Sequence, residues 1–316
     1  MILKVNSPTN EEIQMIKDGS SYLSFFQTMK EIDKVKAFQS KNVTGYSMHL
    51  IPRTTLAQKM DALSSQTNIA GYKAVLIAAC HIEKYMPLLM TAAGTIPPAK
   101  VLVLGAGVAG LSAIATAKRL GAQVEASDVR PEVKEQVESL GAKFLEVESD
   151  SDDGVGEGGY AKETSEEYKK KQAELLEKRV ADSDIVVTTA LIPGRKAPVL
   201  ITKEMVDSMK PGSIVVDLAA EQGGNCGYTE PDRALEIGGV TILGYTDLTS
   251  RLATQASQLF GTNLVNLLSD MTTDGECIID LEDEVVRKSL ILRDGVVTWP
   301  PPPDPEKAVA PPPTAE

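Results

Sequence analysis

The run Val101-Leu-Val-Leu104 is short, wholly apolar and bounded by polar or glycine residues, the pattern of a strand buried on both faces of a parallel sheet. Leu111–Leu120 follows after a glycine-rich stretch; it is small, apolar and helix-forming, and Gly121 closes it. Further strand-like runs fall at 124–128, 143–147, 184–190, 213–219 and 240–245, with helical stretches near 131–140, 165–182 and 202–209. Alternation of this kind predicts an α/β fold with a doubly wound parallel sheet. Before residue 97 the periodicity predicts a strand at 43–50 and one long helix from about 55 to 85. Residues 1–50 supply two helices and one strand, too little for a core of their own. A second Rossmann-like lobe must therefore draw on residues after the sheet. The expected organisation is a discontinuous first lobe of 1–63 with 250–299, an inserted dinucleotide domain of 64–249, and a proline-rich tail of 300–316. Eight of the 18 prolines lie in that tail, which reads as an extended spacer.

Composition narrows the function. The chain has 316 residues and a net charge of −12, which argues against nucleic acid or an anionic membrane surface as its partner. Its three cysteines, Cys80, Cys226 and Cys277, are far apart with no metal-ligand spacing, and His49 and His81 are not clustered with other ligands, so no metal site is expected. His81 reads as a packing residue in an apolar helix. No stretch of 18 uninterrupted apolar residues occurs, so no membrane span is expected.

Two constellations carry chemistry. Gly105-x-Gly107-x-x-Gly110 sits directly after a strand and opens a helix, the context in which glycines let a pyrophosphate approach a helix N-terminus. Asp128 lies 23 residues after Gly105, at the end of the next strand, where a carboxylate accepts hydrogen bonds from a ribose 2′-hydroxyl and repels a 2′-phosphate. That favours NAD(H) over NADP(H), a preference that Arg130 softens. A tight turn with an N-capping aspartate ahead of Pro131 is the structural alternative. The second constellation is Arg53-Thr54-Thr55-Leu56-Ala57-Gln58-Lys59-Met60-Asp61-Ala62-Leu63-Ser64-Ser65. On a helix Gln58, Asp61 and Ser64 share one face, which spacing alone leaves open between a solvated surface and a site. The acidic, glycine-rich stretch 149–160 reads as a surface loop able to close over a site, or as a plain connection.

The Arg53–Ser65 segment, Asn68-Ile-Ala-Gly-Tyr72, Thr91–Ala99, the glycine motif, Gly158–Glu163, Thr189–Gly194, Pro198–Ile201 and Asp217-Leu-Ala-Ala-Glu221-Gln-Gly-Gly-Asn225 together resemble the NAD(H)-binding component of proton-translocating NAD(P) transhydrogenases, over residues 10 to 299. Alanine dehydrogenases are the related group. The resemblance implies that the chain holds NADH and passes hydride to NADP⁺ on a partner component, coupled to proton movement through a membrane-spanning component. It implies a homodimer, peripheral on the cytoplasmic side of the membrane. By it, Arg53, Gln58, Asp61 and Ser64 orient the nicotinamide, with Thr54, Thr55, Leu56, Lys59 and Met60 beside them. Val108, Ala109 and Gly110 follow the pyrophosphate, Asp128, Val129 and Arg130 the adenosine ribose, and Gly159, Tyr160 and Leu191 close over the cofactor. Hydride transfer between two nicotinamides needs positioning rather than a general acid or base. An alanine dehydrogenase must manage an imine and an ammonium; its histidine after the strand at 22–26 is replaced here by Gln27. Family members begin several dozen residues earlier, so the first lobe is expected to be incomplete. A non-catalytic NAD-binding module is the third reading.

Overall fold

The strand Lys100–Leu104 is the centre of a seven-stranded sheet in a computed structural model that describes residues 1–146, 166–192 and 195–300. The order across this sheet is Ala234–Ile237, Val240–Leu243, Ile214–Asp217, Ile185–Thr188, Lys100–Leu104, Gln123–Ser127 and Lys143–Phe144. Every neighbouring pair is parallel except the first, where Ala234–Ile237 runs antiparallel to Val240–Leu243. This edge hairpin adds to the parallel sheet read from sequence. Its turn, Gly238-Gly239, has φ of 59° and 82°, which glycine adopts without strain.

Period-two alternation divides the core by faces. Val101, Val103, Ile185, Val187, Ile214 and Val216 join one buried cluster with Ala113, Ile114 and Ala117 of the helix Val108–Arg119. Leu102, Leu104, Val186, Val215 and Ile242 join the other, with Val180, Met205 and Val206. Each fully buried aliphatic side chain contributes roughly 1.5–3 kcal/mol, and burial on both faces explains why these strands lack polar alternation. Chain order reverses between Lys100–Leu104 and Ile185–Thr188, so the carboxyl ends of these two strands mark the switch point at which ligands bind in such sheets.

The chain divides into two compact units, Gln66–Ala256, which holds this sheet, and Met1–Ser65 with Ser257–Glu316. The second unit has a five-stranded sheet ordered Ile2–Asn6, Ser21–Phe25, Thr44–Ser47, Leu290–Arg293 and Val296–Val297, parallel over the first three and antiparallel over the rest. Helices Asn10–Met15 and Ile32–Gln39 agree with the two read from residues 1–50, but three strands replace one. The missed strands are five residues long, and in Ser21–Phe25 the polar Ser24 is fully buried, which erased the alternation. Leu23, Tyr46 and Met48 pack with Phe260, Leu264, Leu267, Val286 and Leu290. Ile13, Tyr22, Phe26 and Phe38 pack with Ile291 and Leu292 on a separate cluster. Among the described residues, no helix is long and apolar enough to cross a membrane.

Candidate dinucleotide-binding site

Gly105 leaves the strand with φ of 101°, and its amide donates to Ser127 O at 2.8 Å. A Cβ there would lie 2.5 Å from Thr189 Oγ1, and one on Gly110 would lie 1.8 Å from Gly105 O. Both positions therefore exclude any side chain. Gly107 is the N-cap of Val108–Arg119 and supplies no side-chain cap, so the first amides of the helix face outward unpaired. A Cβ on Gly107 would meet only Arg130 Nη2, at 3.9 Å. An open, uncapped N-terminus on a twelve-residue helix at the sheet's switch point fits a pyrophosphate.

Asp128 closes one side of this turn. Its Oδ2 accepts from Ala106 N at 2.6 Å and Arg130 Nη2 at 3.0 Å, and its Oδ1 from Arg130 N at 2.9 Å and Arg130 Nε at 3.0 Å. Burial raises the Asp128 carboxyl, but the Arg130 guanidinium and the two amides outweigh it and hold the group below the ordinary aspartate value. A carboxylate offers about four acceptor positions, all filled here. A ribose diol must therefore displace the Arg130 side chain, which is half exposed, to reach Asp128. Val129 is 82% exposed and Leu191, in the loop after Ile185–Thr188, is 45% exposed. Gly159 and Tyr160, with the rest of the 149–160 loop, lie outside the described residues, as does the tail from 301 onward.

The Arg53–Ser64 segment belongs to the other unit and is not one helix. Gln58–Met60 is a 3₁₀ turn, Asp61 leaves helical geometry with φ −71° and ψ 85°, and a new helix begins as Ala62–His81. Asp61 breaks the helix because its carboxylate does the capping: Oδ1 accepts from Ser64 N at 2.9 Å and Oδ2 from Ser64 Oγ at 2.5 Å. The shared face of Gln58, Asp61 and Ser64 is thus replaced by a turn and a cap. Met60 is 1% exposed within the core, so its side chain is not presented to a ligand. Lys59 pairs with Asp270 at 2.7 Å, and its carbonyl accepts from Asn263 and Asn266. Arg53, Thr55, Leu56 and Gln58 are exposed, and Thr54 is partly so. His49 nearby has its pKa lowered by burial and by the charges of Lys30 and Arg53. His81 is not a packing residue; it ends its helix, exposed, with Nδ1 2.9 Å from Ile77 O. Among the described residues, no cluster of three or more His, Cys, Asp or Glu is placed to hold a metal.

Three positions near the glycine turn emerge only in the structure. A Cβ on Gly71 would lie 2.0 Å from Ala109 O, so the helix through 66–81 rests directly on the start of Val108–Arg119, and Ser112 Oγ donates to Asn68 O at 2.8 Å across the same contact. Thr189 Oγ1 donates to Gly105 O at 3.0 Å. Asn225, fully buried, bonds both backbone groups of Ala190. The close approach at Gly71 has a sequence signal, a glycine inside a helical pattern; the other two have none.

A sheet of this order with a glycine turn at its switch point defines a nucleotide-cofactor fold of the dehydrogenase type. The chain belongs to the alanine dehydrogenase/PNT family, whose C-terminal domain model matches residues 74–300 and whose N-terminal domain model matches residues 1–70. It is 51% identical over 298 residues to the NAD(P) transhydrogenase subunit alpha of Haemophilus influenzae, covering 93% of this chain and 58% of that protein. Against an NAD(P) transhydrogenase subunit alpha chain of Rhodospirillum rubrum it is 50% identical over 294 residues, covering 92% and 76%. The solved transhydrogenase structure from Sinorhizobium meliloti superposes with a TM-score of 0.83 at 46% identity, over 93% of this chain and 80% of that one. Likeness to alanine dehydrogenases is weaker, 28% over 229 residues for that of Methanococcus maripaludis. The chain thus spans little more than half the length of the Haemophilus protein.

Proposed function

We propose that this chain is the NAD(H)-binding component of a proton-translocating NAD(P) transhydrogenase. The observation that supports this most is the uncapped helix N-terminus behind Gly105 and Gly107 with the Asp128 carboxylate beside it. In this reading the amides of Val108, Ala109 and Gly110 hold the pyrophosphate. Asp128 takes the adenosine ribose after releasing Arg130, which then stands beside Val129 at the same ribose. Arg53, Gln58, Asp61 and Ser64, with Thr54, Thr55, Leu56 and the backbone of Lys59 and Met60, orient the nicotinamide. Leu191, with Gly159 and Tyr160, covers the cofactor. The nicotinamide supplies the hydride, and the acceptor NADP⁺ is carried by a partner component.

The protein side of such chemistry is orientation: two rings are held for direct transfer and no proton is exchanged at the reacting carbon. Gln58, Arg53 and Thr54 offer neutral or cationic hydrogen-bonding groups suited to a carboxamide. The Asp61–Ser64 bond fixes both partners in one geometry before a ligand arrives. A homodimer, peripheral on the cytoplasmic side and docked to a membrane-spanning component, completes the proposal. The test is equilibrium titration with NADH and NADPH, followed by assay with pyruvate, ammonia and NADH. NADH binding at least tenfold tighter than NADPH, with no amination of pyruvate, supports the reading. Equal affinities, or turnover with pyruvate and ammonia, refute it.

A further inference from the structure

Asp217, at the end of the strand Ile214–Asp217, is fully buried, and none of the groups that donate to it is a cation. Five donors satisfy it instead: Thr188 Oγ1 at 3.0 Å and Ala219 N at 2.9 Å on Oδ1, and Asn225 N at 2.7 Å, Cys226 N at 3.0 Å and Thr229 Oγ1 at 2.7 Å on Oδ2. A buried carboxylate is tolerated only when hydrogen-bonded this fully. The cost of breaking any one bond makes it a rigid anchor. Asn225 sits on that anchor and is itself fully buried. Its side chain spends its acceptor and both donors on the segment after Ile185–Thr188: Oδ1 accepts from Ala190 N at 3.0 Å, and Nδ2 donates to Ala190 O at 2.9 Å and Pro198 O at 2.7 Å. The residue before Ala190 is Thr189, whose hydroxyl donates to Gly105 O. That same carbonyl oxygen is the atom a Gly110 side chain would strike.

We propose that Asn225, seated on Asp217, is a positioning residue for the dinucleotide: it fixes Ala190, and through Thr189 it sets the place of the Gly105 carbonyl and of the turn that receives the pyrophosphate. The inference rests on the reading of the glycine turn as an NAD(H) site. A structural role alone predicts loss of stability with no specific effect at residues 105–110. The positioning role predicts a disturbance that travels from Ala190 to the turn.

Two variants test this. Asn225→Asp keeps the shape but sets a carboxylate oxygen against Ala190 O and Pro198 O; Thr189→Val removes only the bond to Gly105 O. In the ligand-free full chain, amide hydrogen exchange in residues 104–110 should accelerate at least tenfold in both variants, while residues 240–243 at the far edge of the sheet keep their protection. NADH affinity should fall at least tenfold in each, and the double variant should lose less than the product of the two, because both break one chain of contacts. Acceleration confined to 190–200 in Asn225→Asp, or unchanged exchange at 104–110 in Thr189→Val, overturns the proposal; so do losses that multiply. Should Asn225→Asp not fold, Thr189→Val alone decides by the same exchange reading. Failure of the unmodified chain to bind NADH overturns the NAD(H) reading instead, and exchange still decides the positioning role.

Discussion

Gly71→Ala is the sharpest perturbation the structure offers, because it acts on the glycine turn without touching it in sequence. The added Cβ would lie 2.0 Å from Ala109 O, 2.8 Å from Ala109 C and 3.0 Å from Ala109 Cα. All three are backbone atoms, so no side chain can rotate away, and the two helices must part by about 1 Å to reach even a tight contact. Overpacking of this kind costs roughly 1–3 kcal/mol, offset by the ~1 kcal/mol that alanine gains over glycine inside a helix. A backbone clash falls at the upper end, giving a net loss of about 2 kcal/mol and a fall in melting temperature of roughly 4–8 °C for a unit of this size. Displacing the Ala109 amide by about 1 Å should weaken NADH binding by ~10- to 100-fold, or about 1.4–2.8 kcal/mol. Thermal unfolding and NADH fluorescence titration read the two effects. Gly261→Ala is the control: a Cβ there meets nothing within 4 Å in the helix Ala253–Asp270, so stability should hold or rise with NADH affinity unchanged. A Gly71→Ala chain with native melting temperature and native NADH affinity would refute the packing argument.

Other consequences are as direct. Asp128→Asn should weaken NADH binding and narrow its advantage over NADPH. The Asp128 carboxyl is depressed in the folded chain, so its stabilising contribution is present above the ordinary aspartate value and lost as pH falls through the lower folded one. Acid unfolding below about pH 4 should therefore be shallower in Asp128→Asn than in the unmodified chain; identical acid profiles would contradict this. Asp61→Ala removes the cap of Ala62–His81 and should cost ~1 kcal/mol in denaturant unfolding. Ser64→Ala keeps the Asp61 Oδ1 bond to its amide and should cost less; a reversed order argues against the cap. Burial pushes the Cys226 thiol up and leaves it 2% exposed, whereas Cys80 and Cys277 are exposed. An aromatic disulfide reagent at pH 8 should titrate two thiols quickly and the third only in denaturant, and three fast thiols would place Cys226 wrongly.

The central sheet was readable in sequence because its strands are buried on both faces, so Val101–Leu104, Ile185–Val187 and Ile214–Val216 stand out as apolar runs. The glycine turn was readable because its motif follows one of these strands. What periodicity could not resolve was Asp61, whose spacing to Gln58 and Ser64 suits a helix face but whose carboxylate turns back on Ser64 and ends the turn before it. Local side-chain bonding of this kind competes with the helix and leaves no trace in hydrophobic pattern. Ser24 and Asn225 were hidden for a related reason: both are polar and fully buried, the class that pattern reading assigns to the surface. Arg130 was placed beside Asp128 by sequence, but that it fills the carboxylate's acceptors is a matter of geometry alone.

The most direct measurement follows deuterium. The chain, mixed with an NADP(H)-binding component and supplied with NADH deuterated at C4 of the nicotinamide, should deliver that deuterium into NADPH without dilution by solvent protons. That result is required if the chain positions one ring for direct transfer to another. NADPH formed with solvent hydrogen, or no transfer from a chain that binds NADH, would contradict the account.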